Sequence, residues 1–240
     1  MIDLAVRALF LPLLVWQGAR VRKKALHLPD ATGETTGAYG SGPDLSLLIV
    51  GDSSAAGVGT SHQEEALLGQ MRKRLSQTNR VSWKVIAQTG ATTSEIRQKL
   101  LAEPAQRFDM VSVSLGCNDV TAVVTAKDWC MQMNALLDLL ESKFEAKLIC
   151  VSGLPEMKYF PLLPQPLRWV LGKQAERFDR CLRKILNTRR NCRYVRMDFE
   201  PDVTLMSEDG YHPGPKIYAQ WGSKVYRTIR NDVRELNRLH

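Results

Sequence analysis

From Leu45 onward, short apolar runs alternate with longer stretches in which apolar residues recur every three or four positions. Leu45–Val50 (LSLLIV) is a run of buried-strand type, Glu64–Leu75 has helical spacing, and Val81–Ala87 reads as a second strand. A helix near Ser94–Ala102 leads to a third strand at Met110–Leu115 and a long amphipathic helix over Asp128–Phe144. Lys147–Val151 and Arg193–Met197 supply the fourth and fifth strands, with a long helix at Leu167–Asn187 between them. Ile217–Leu239 forms a closing helix. Strands alternating with helices predict βαβ units, hence one α/β domain whose parallel sheet is covered on both faces.

Upstream of Leu45 the pattern breaks. Leu28–Pro43 is polar and rich in Gly, Pro, Ser and Thr, the composition of a linker. Met1–Trp16 is apolar apart from Asp3 and Arg7, and a basic cluster (Arg20, Arg22, Lys23, Lys24) follows it. That run falls short of the roughly 20 apolar residues a spanning helix needs. Asp3 and the basic cluster also spoil the pattern of a cleavable signal peptide. Two roles fit: a helix lying in a membrane interface, making residues 1–24 a peripheral contact, or a helix packed on its own domain or a partner subunit. The expected organisation is residues 1–43 as an apolar and basic segment with its linker, then a single domain over 44–240.

Composition narrows the picture. With 240 residues, 44% hydrophobic and 24% charged, the chain is neither disordered, collagen-like nor a polytopic membrane protein. Its five cysteines form no C-x-x-C pair, so free thiols in a reducing, cytoplasmic setting are expected, and no metal. The net charge of +8 concentrates in residues 168–240, which hold 16 Lys and Arg against 9 Asp and Glu. These cations are spread along helical segments without interleaved aromatics. They read as a solvated helix face, and no nucleic-acid partner is expected. Gly57-Val58-Gly59 lacks the third glycine of a dinucleotide loop, and no phosphate-binding G-x-x-x-x-G-K-[ST] occurs, so no cofactor is expected either.

Open α/β sheets bind ligands beyond the carboxyl ends of their strands, where strand order reverses. There stand Gly51-Asp52-Ser53-Ser54, Gln88-Thr89-Gly90 and Gly116-Cys117-Asn118-Asp119, and Asp209-Gly210-Tyr211-His212-Pro213 precedes the last helix. Small residues around Ser53 let the backbone turn sharply and expose its hydroxyl. A serine hydroxyl needs a base within hydrogen-bond reach. Of the four histidines (His27, His62, His212, His240), only His212 follows a carboxylate, Asp209, across a glycine-containing turn. That pairing of base and orienting acid has the logic of a Ser-His-Asp triad, although a D-x-x-H string alone is a weak signal. The Gly90 amide and the Asn118 side chain could converge beside Ser53 as oxyanion donors, and the ordered coincidence of all four blocks is what makes the signal specific.

These blocks resemble those of the SGNH hydrolases of the GDSL esterase/lipase superfamily: Ser53 in GDSS, Gly90 in QTGATT, Asn118 in GCND and His212 in DGYH. The resemblance runs from about Leu45 to the C-terminus. It implies a flavodoxin-like three-layer α/β/α sandwich with a parallel five-stranded sheet ordered 2-1-3-4-5. It also implies Ser53 as nucleophile, His212 as general base and Asp209 as its orienting acid, with Ser53, Gly90 and Asn118 forming the oxyanion hole. Ser54 replaces the leucine of the family name and touches no catalytic role, and Asp52 is expected to hydrogen-bond the turn. The expected function is a serine ester hydrolase acting through an acyl-enzyme on small or short-chain carboxylic esters. The short-chain expectation rests on the small residues Ser54-Ala55-Ala56-Gly57 and on finding no apolar lid near the motifs. A lysophospholipase or thioesterase on longer chains is the alternative. From a different class comes a non-catalytic membrane-surface or nucleic-acid-associated protein using the basic C-terminal half. Met157–Leu171, apolar and carrying three prolines, suits an acyl-pocket border, a lipid contact, a packed connector or the interface of a homo-oligomer.

Overall fold

The computed structural model describes residues 9–199 and 202–238; Asp3, Arg7 and His240 lie outside the described residues. Within the described residues come helix α1 (Leu11–Lys24) and strand β1 (Thr36–Tyr39). The predicted alternation follows as β2 (Asp44–Gly51), α2 (Ser53–Ala56), α3 (Leu67–Leu75), β3 (Arg80–Ala87), α4 (Thr93–Ala102) and β4 (Met110–Ser114). It continues through α5 (Cys117–Thr121), α6 (Ala126–Ser142), β5 (Leu148–Ser152), α7 (Leu167–Leu186), β6 (Cys192–Val195) and α8 (Pro215–Leu236). Among the described residues no helix is long and apolar enough to cross a membrane.

The sheet runs β1-β3-β2-β4-β5-β6. Strands β2 to β6 pair in parallel in the order expected from the resemblance. The sheet nevertheless has six strands where five were expected, because β1 pairs antiparallel with the β3 edge from Thr36↔Lys84 to Tyr39↔Val81. Gly37 permits this by lying flat on Trp83, whose ring would stand only 2.5 Å from a Cβ at that position. Residues 28–43 are therefore laid along the domain, with Thr32 also bridged to His62.

Alternation along β2 sorts the core into two layers, since successive side chains point to opposite faces. Leu45, Leu47 and Ile49 pack with Trp221 and Val225 of α8 and with Leu67 and Met71 of α3. Leu48 and Val50 join Ile96 of α4, Leu137 of α6 and Phe178 of α7 on the other face. All five β2 side chains are essentially inaccessible, and truncating one of them to alanine is expected to cost about 2–5 kcal/mol.

One further expectation changes. Cys130 of α6 and Cys181 of α7 form a disulfide with Cα atoms 6.2 Å apart, leaving Cys117, Cys150 and Cys192 as the free thiols. The two cysteines are 51 residues apart and meet only because α6 packs against α7. Of the C-terminal cations, Arg180, Arg183, Lys184 and Arg190 are exposed, as a solvated helix face requires, while Arg189 pairs with Asp138 and Glu141 and Arg193 with Asp232.

Candidate active site

Strand order reverses at β2, which lies between β3 and β4, so the ends of these three strands define one edge of the sheet. Gly51 ends β2 in contact with β4; a Cβ there would stand 2.4 Å from the Ser114 carbonyl oxygen. The chain then turns into α2 under Asp52, whose side chain caps that helix by accepting the Ser54 N–H at 3.0 Å. This capping role agrees with the expectation for Asp52. Burial pushes its carboxyl up to about 6, against the pull of the Ser54 amide. Ser53 occupies the first turn of α2, where backbone amides lack intrahelical partners.

His212 reaches Ser53 from the turn before α8. Its Nε2 lies 2.8 Å from Ser53 Oγ, and its Nδ1 lies 2.5 Å from Asp209 Oδ2. With a carboxylate on one side, Nδ1 carries the ring proton and Nε2 is left to accept from the serine hydroxyl. Asp209 Oδ1 accepts the Tyr211 and His212 amides at 2.9 and 3.0 Å and the Ser207 hydroxyl at 2.7 Å. Burial alone would raise the Asp209 pKa, but these hydrogen bonds, that of the His212 ring foremost, outweigh it and hold the carboxyl well below its ordinary value. The acid is thus ionised and fixed, and it presents the ring to the hydroxyl.

Asn118 sits at the start of α5, beyond β4, and lines the same cavity of about 100 Å³ as Ser53 and His212. Its Nδ2 donates to the Ala91 carbonyl at 2.9 Å and lies 3.5 Å from Asp52 Oδ2. The first bond joins Asn118 to the turn that holds Gly90, which is exposed, adopts φ +80° and has open space where a Cβ would stand. Ser53, Asp209 and His212 are therefore in direct contact, Asn118 shares their cavity, and Gly90 stands one residue from the partner of Asn118. Next in sequence to Asn118, Asp119 is buried and accepts the Thr93 amide and hydroxyl at 3.0 and 2.9 Å, which ties α5 to α4.

Ser207 and Tyr211 escaped the sequence reading. The Ser207 hydroxyl supports Asp209, and the Tyr211 ring packs edge-on against both His212 and Phe160. Neither carries a signal beyond closeness to the D-x-x-H string. Cys117 also lines the cavity, but burial and the nearby Asp52 and Asp119 carboxylates push its thiol far up, so it stays protonated and does not compete as a nucleophile. Among the described residues no group of three His, Cys, Asp or Glu side chains is placed to hold a metal ion.

A model of the GDSL-like lipase/acylhydrolase family matches residues 49–220, the span that contains all five site residues. A GDSL-like esterase of Mycobacterium tuberculosis is 25% identical over 253 residues, covering 93% of this chain and 77% of that protein. Among solved structures, the family 3 carbohydrate esterase of Clostridium thermocellum superposes with a TM-score of 0.64 at 15% identity, over 81% of this chain and 99% of the other. The psychrotrophic esterase EstA of Pseudoalteromonas, solved with monoethylphosphonate as inhibitor, gives 0.60 at 19% identity over 80% of this chain and all of the other. At these identities the two structures speak for the fold.

Proposed function

The chain belongs to the GDSL-like lipase/acylhydrolase family, and from that premise we propose that it cleaves carboxylic esters through an acyl-enzyme on Ser53. The observation that carries the reading is the unbroken relay from Ser53 Oγ through His212 to Asp209, at 2.8 and 2.5 Å. Ser53 Oγ attacks the ester carbonyl as His212 Nε2 takes its proton, and Asp209 stabilises the imidazolium that forms. The tetrahedral oxyanion is met by the amides of Ser53 and Gly90 and by Asn118 Nδ2, whose bond to Asp52 is long enough to yield. As the intermediate collapses, His212 hands its proton to the departing alcohol. Water, activated by the same nitrogen, then releases the acid and restores the hydroxyl. The alternative of a non-catalytic protein built on a basic surface loses support because residues 49–220 match a hydrolase family and the Ser53–His212–Asp209 relay is intact.

Peripheral contact with an anionic lipid surface belongs to the same proposal. Leu9, Phe10, Leu13, Val15 and Trp16 are exposed along one stretch, and Arg20, Arg22, Lys23 and Lys24 follow directly.

The test combines turnover with labelling. Wild type is expected to hydrolyse p-nitrophenyl esters and to gain the mass of a phosphonate probe on Ser53. Ser53→Ala should take no label and retain only a remnant of about 10³–10⁴-fold over water. Full turnover by Ser53→Ala, or a label on another residue, would reject the assignment.

A further inference from the structure

A second cavity, of about 480 Å³, lies on the other flank of His212. Its size falls within the roughly 300–1,000 Å³ usual for small-molecule sites. Leu14 and Val21 of α1 line it together with Val120, Leu163, Leu167 and Val170 of the body. Its exposed rim carries Arg22 and His27, while Asn118, Tyr211 and His212 close its inner end. Those last three residues also line the smaller cavity that holds Ser53. Asn118, Tyr211 and His212 are common to both linings, which sets the larger cavity against the residues around a carbonyl at Ser53 Oγ.

The wall made by α1 is deliberate in its construction. Gln17 is buried, donates Nε2 to the Gln165 carbonyl at 2.7 Å and accepts the Leu167 N–H at 3.1 Å, and so satisfies an amide at the open start of α7. Gly18, next to it, also lines the cavity, and a Cβ placed there would meet no atom within 4 Å. Glycine is unfavourable inside a helix; here the missing side chain leaves volume open and serves no close approach.

We propose that α1 completes an acyl-chain site, and that the larger cavity holds the hydrocarbon of a medium-to-long acyl ester while its carbonyl reaches Ser53. This rests on the ester-hydrolase reading and names its substrate class. Apolar walls favour such a chain because each methylene leaves water on entry. The short-chain expectation depended on the absence of an apolar lid near the motifs. The lid is α1, whose Gln17 meets partners 148 and 150 residues further along the chain.

The experiment is a kcat/KM series on p-nitrophenyl esters from acetyl to dodecanoyl, with dodecanoate binding measured by calorimetry in parallel. Wild type should favour octanoyl or longer chains and bind dodecanoate. Gly18→Leu adds a side chain into the cavity and a better helix former, so it should fold with undiminished Tm. It should lower the dodecanoyl-to-acetyl ratio of kcat/KM by about tenfold or more and weaken dodecanoate binding in parallel. Ala19→Leu puts the same side chain on an exposed position outside the cavity and should leave the ratio unchanged. A wild type that prefers acetyl, or a ratio that Gly18→Leu does not move, overturns the acyl site and leaves the esterase standing. Dodecanoate binding lost in Gly18→Leu, with no turnover of any ester by wild type, would keep the cavity and reject the ester-hydrolase reading. Length preference confined to the alcohol half of the ester, tested with alkyl acetates, would overturn the assignment of the acyl chain to this cavity.

Discussion

Asp209 accepts hydrogen bonds from Ser207, Tyr211 and both the ring and amide of His212 within one short turn, whereas α1 reaches the body through Gln17 and the apolar contacts of Leu14 and Val21. The reaction centre is buried polar chemistry in which each group fixes the next. The α1 wall is apolar on the side toward the cavity and apolar again on much of its outer side. The triad turn is held by hydrogen bonds to one carboxylate, and the α1 wall by one buried amide and apolar contacts. The contrast teaches that the triad and the α1 wall lie in separate parts of this chain, one inside the family-matched span and one before it.

The sharpest way to break the comparison lies at Asn118. If its donor acts on the developing oxyanion, Asn118→Ala lowers kcat by about 10²–10³-fold with KM nearly constant. A loss confined to KM would make it a substrate-binding group, closer in kind to the α1 wall. A smaller effect concerns Asp52. Its folded pKa of about 6 exceeds the ordinary 3.8, so the native state holds the extra proton between those values. Stability therefore falls as pH rises through that window, and the penalty is complete above it. Asp52→Asn keeps a good capping residue and should raise stability at pH 8 by roughly 1–3 kcal/mol, an advantage gone by about pH 4. Equal melting shifts at both pH values would deny the buried charge its cost. The smallest effect belongs to the outer face of α1. Arg20→Gln should weaken binding to phosphatidylserine vesicles about fivefold, near 1 kcal/mol. Sedimentation at low and high salt checks this; binding indifferent to both salt and substitution would remove α1 from the lipid contact.

Much of this architecture can be read along the chain, for reasons that also mark where reading stops. Leu45–Val50 announces a strand because a parallel strand is buried on both faces and needs an unbroken apolar run. The Ser, Asn and Asp-x-x-His blocks stand out because they occupy strand ends and the turn before the last helix. Strand β1 was hidden, since Thr36–Tyr39 is largely exposed and pairs only because β3 offers an open edge and Trp83 a surface for Gly37. The apolar run at Met1–Trp16 lies partly outside the described residues; within them the N-terminal helix spans Leu11–Lys24. Arg22, Lys23 and Lys24 fall in its last turn, where the helix dipole favours them. The larger cavity and the disulfide share one obstacle: each joins segments far apart in sequence, through packing that no local pattern encodes.

Tyr211 and His212 border both cavities, and this has a consequence for the order of events in a catalytic cycle. With the acyl chain seated in the larger volume, the alcohol half of the ester lies toward Met197, Phe199 and Met206 of the smaller one. On the proposed acyl-enzyme route, cleavage frees the alcohol first, while the acyl group stays bonded to Ser53 and keeps its own side filled. Water for the second half-reaction must come in where the alcohol went out. On that route any small alcohol able to occupy the vacated side would compete with water for the same acyl group, and turnover would partition between releasing an acid and forging a new ester.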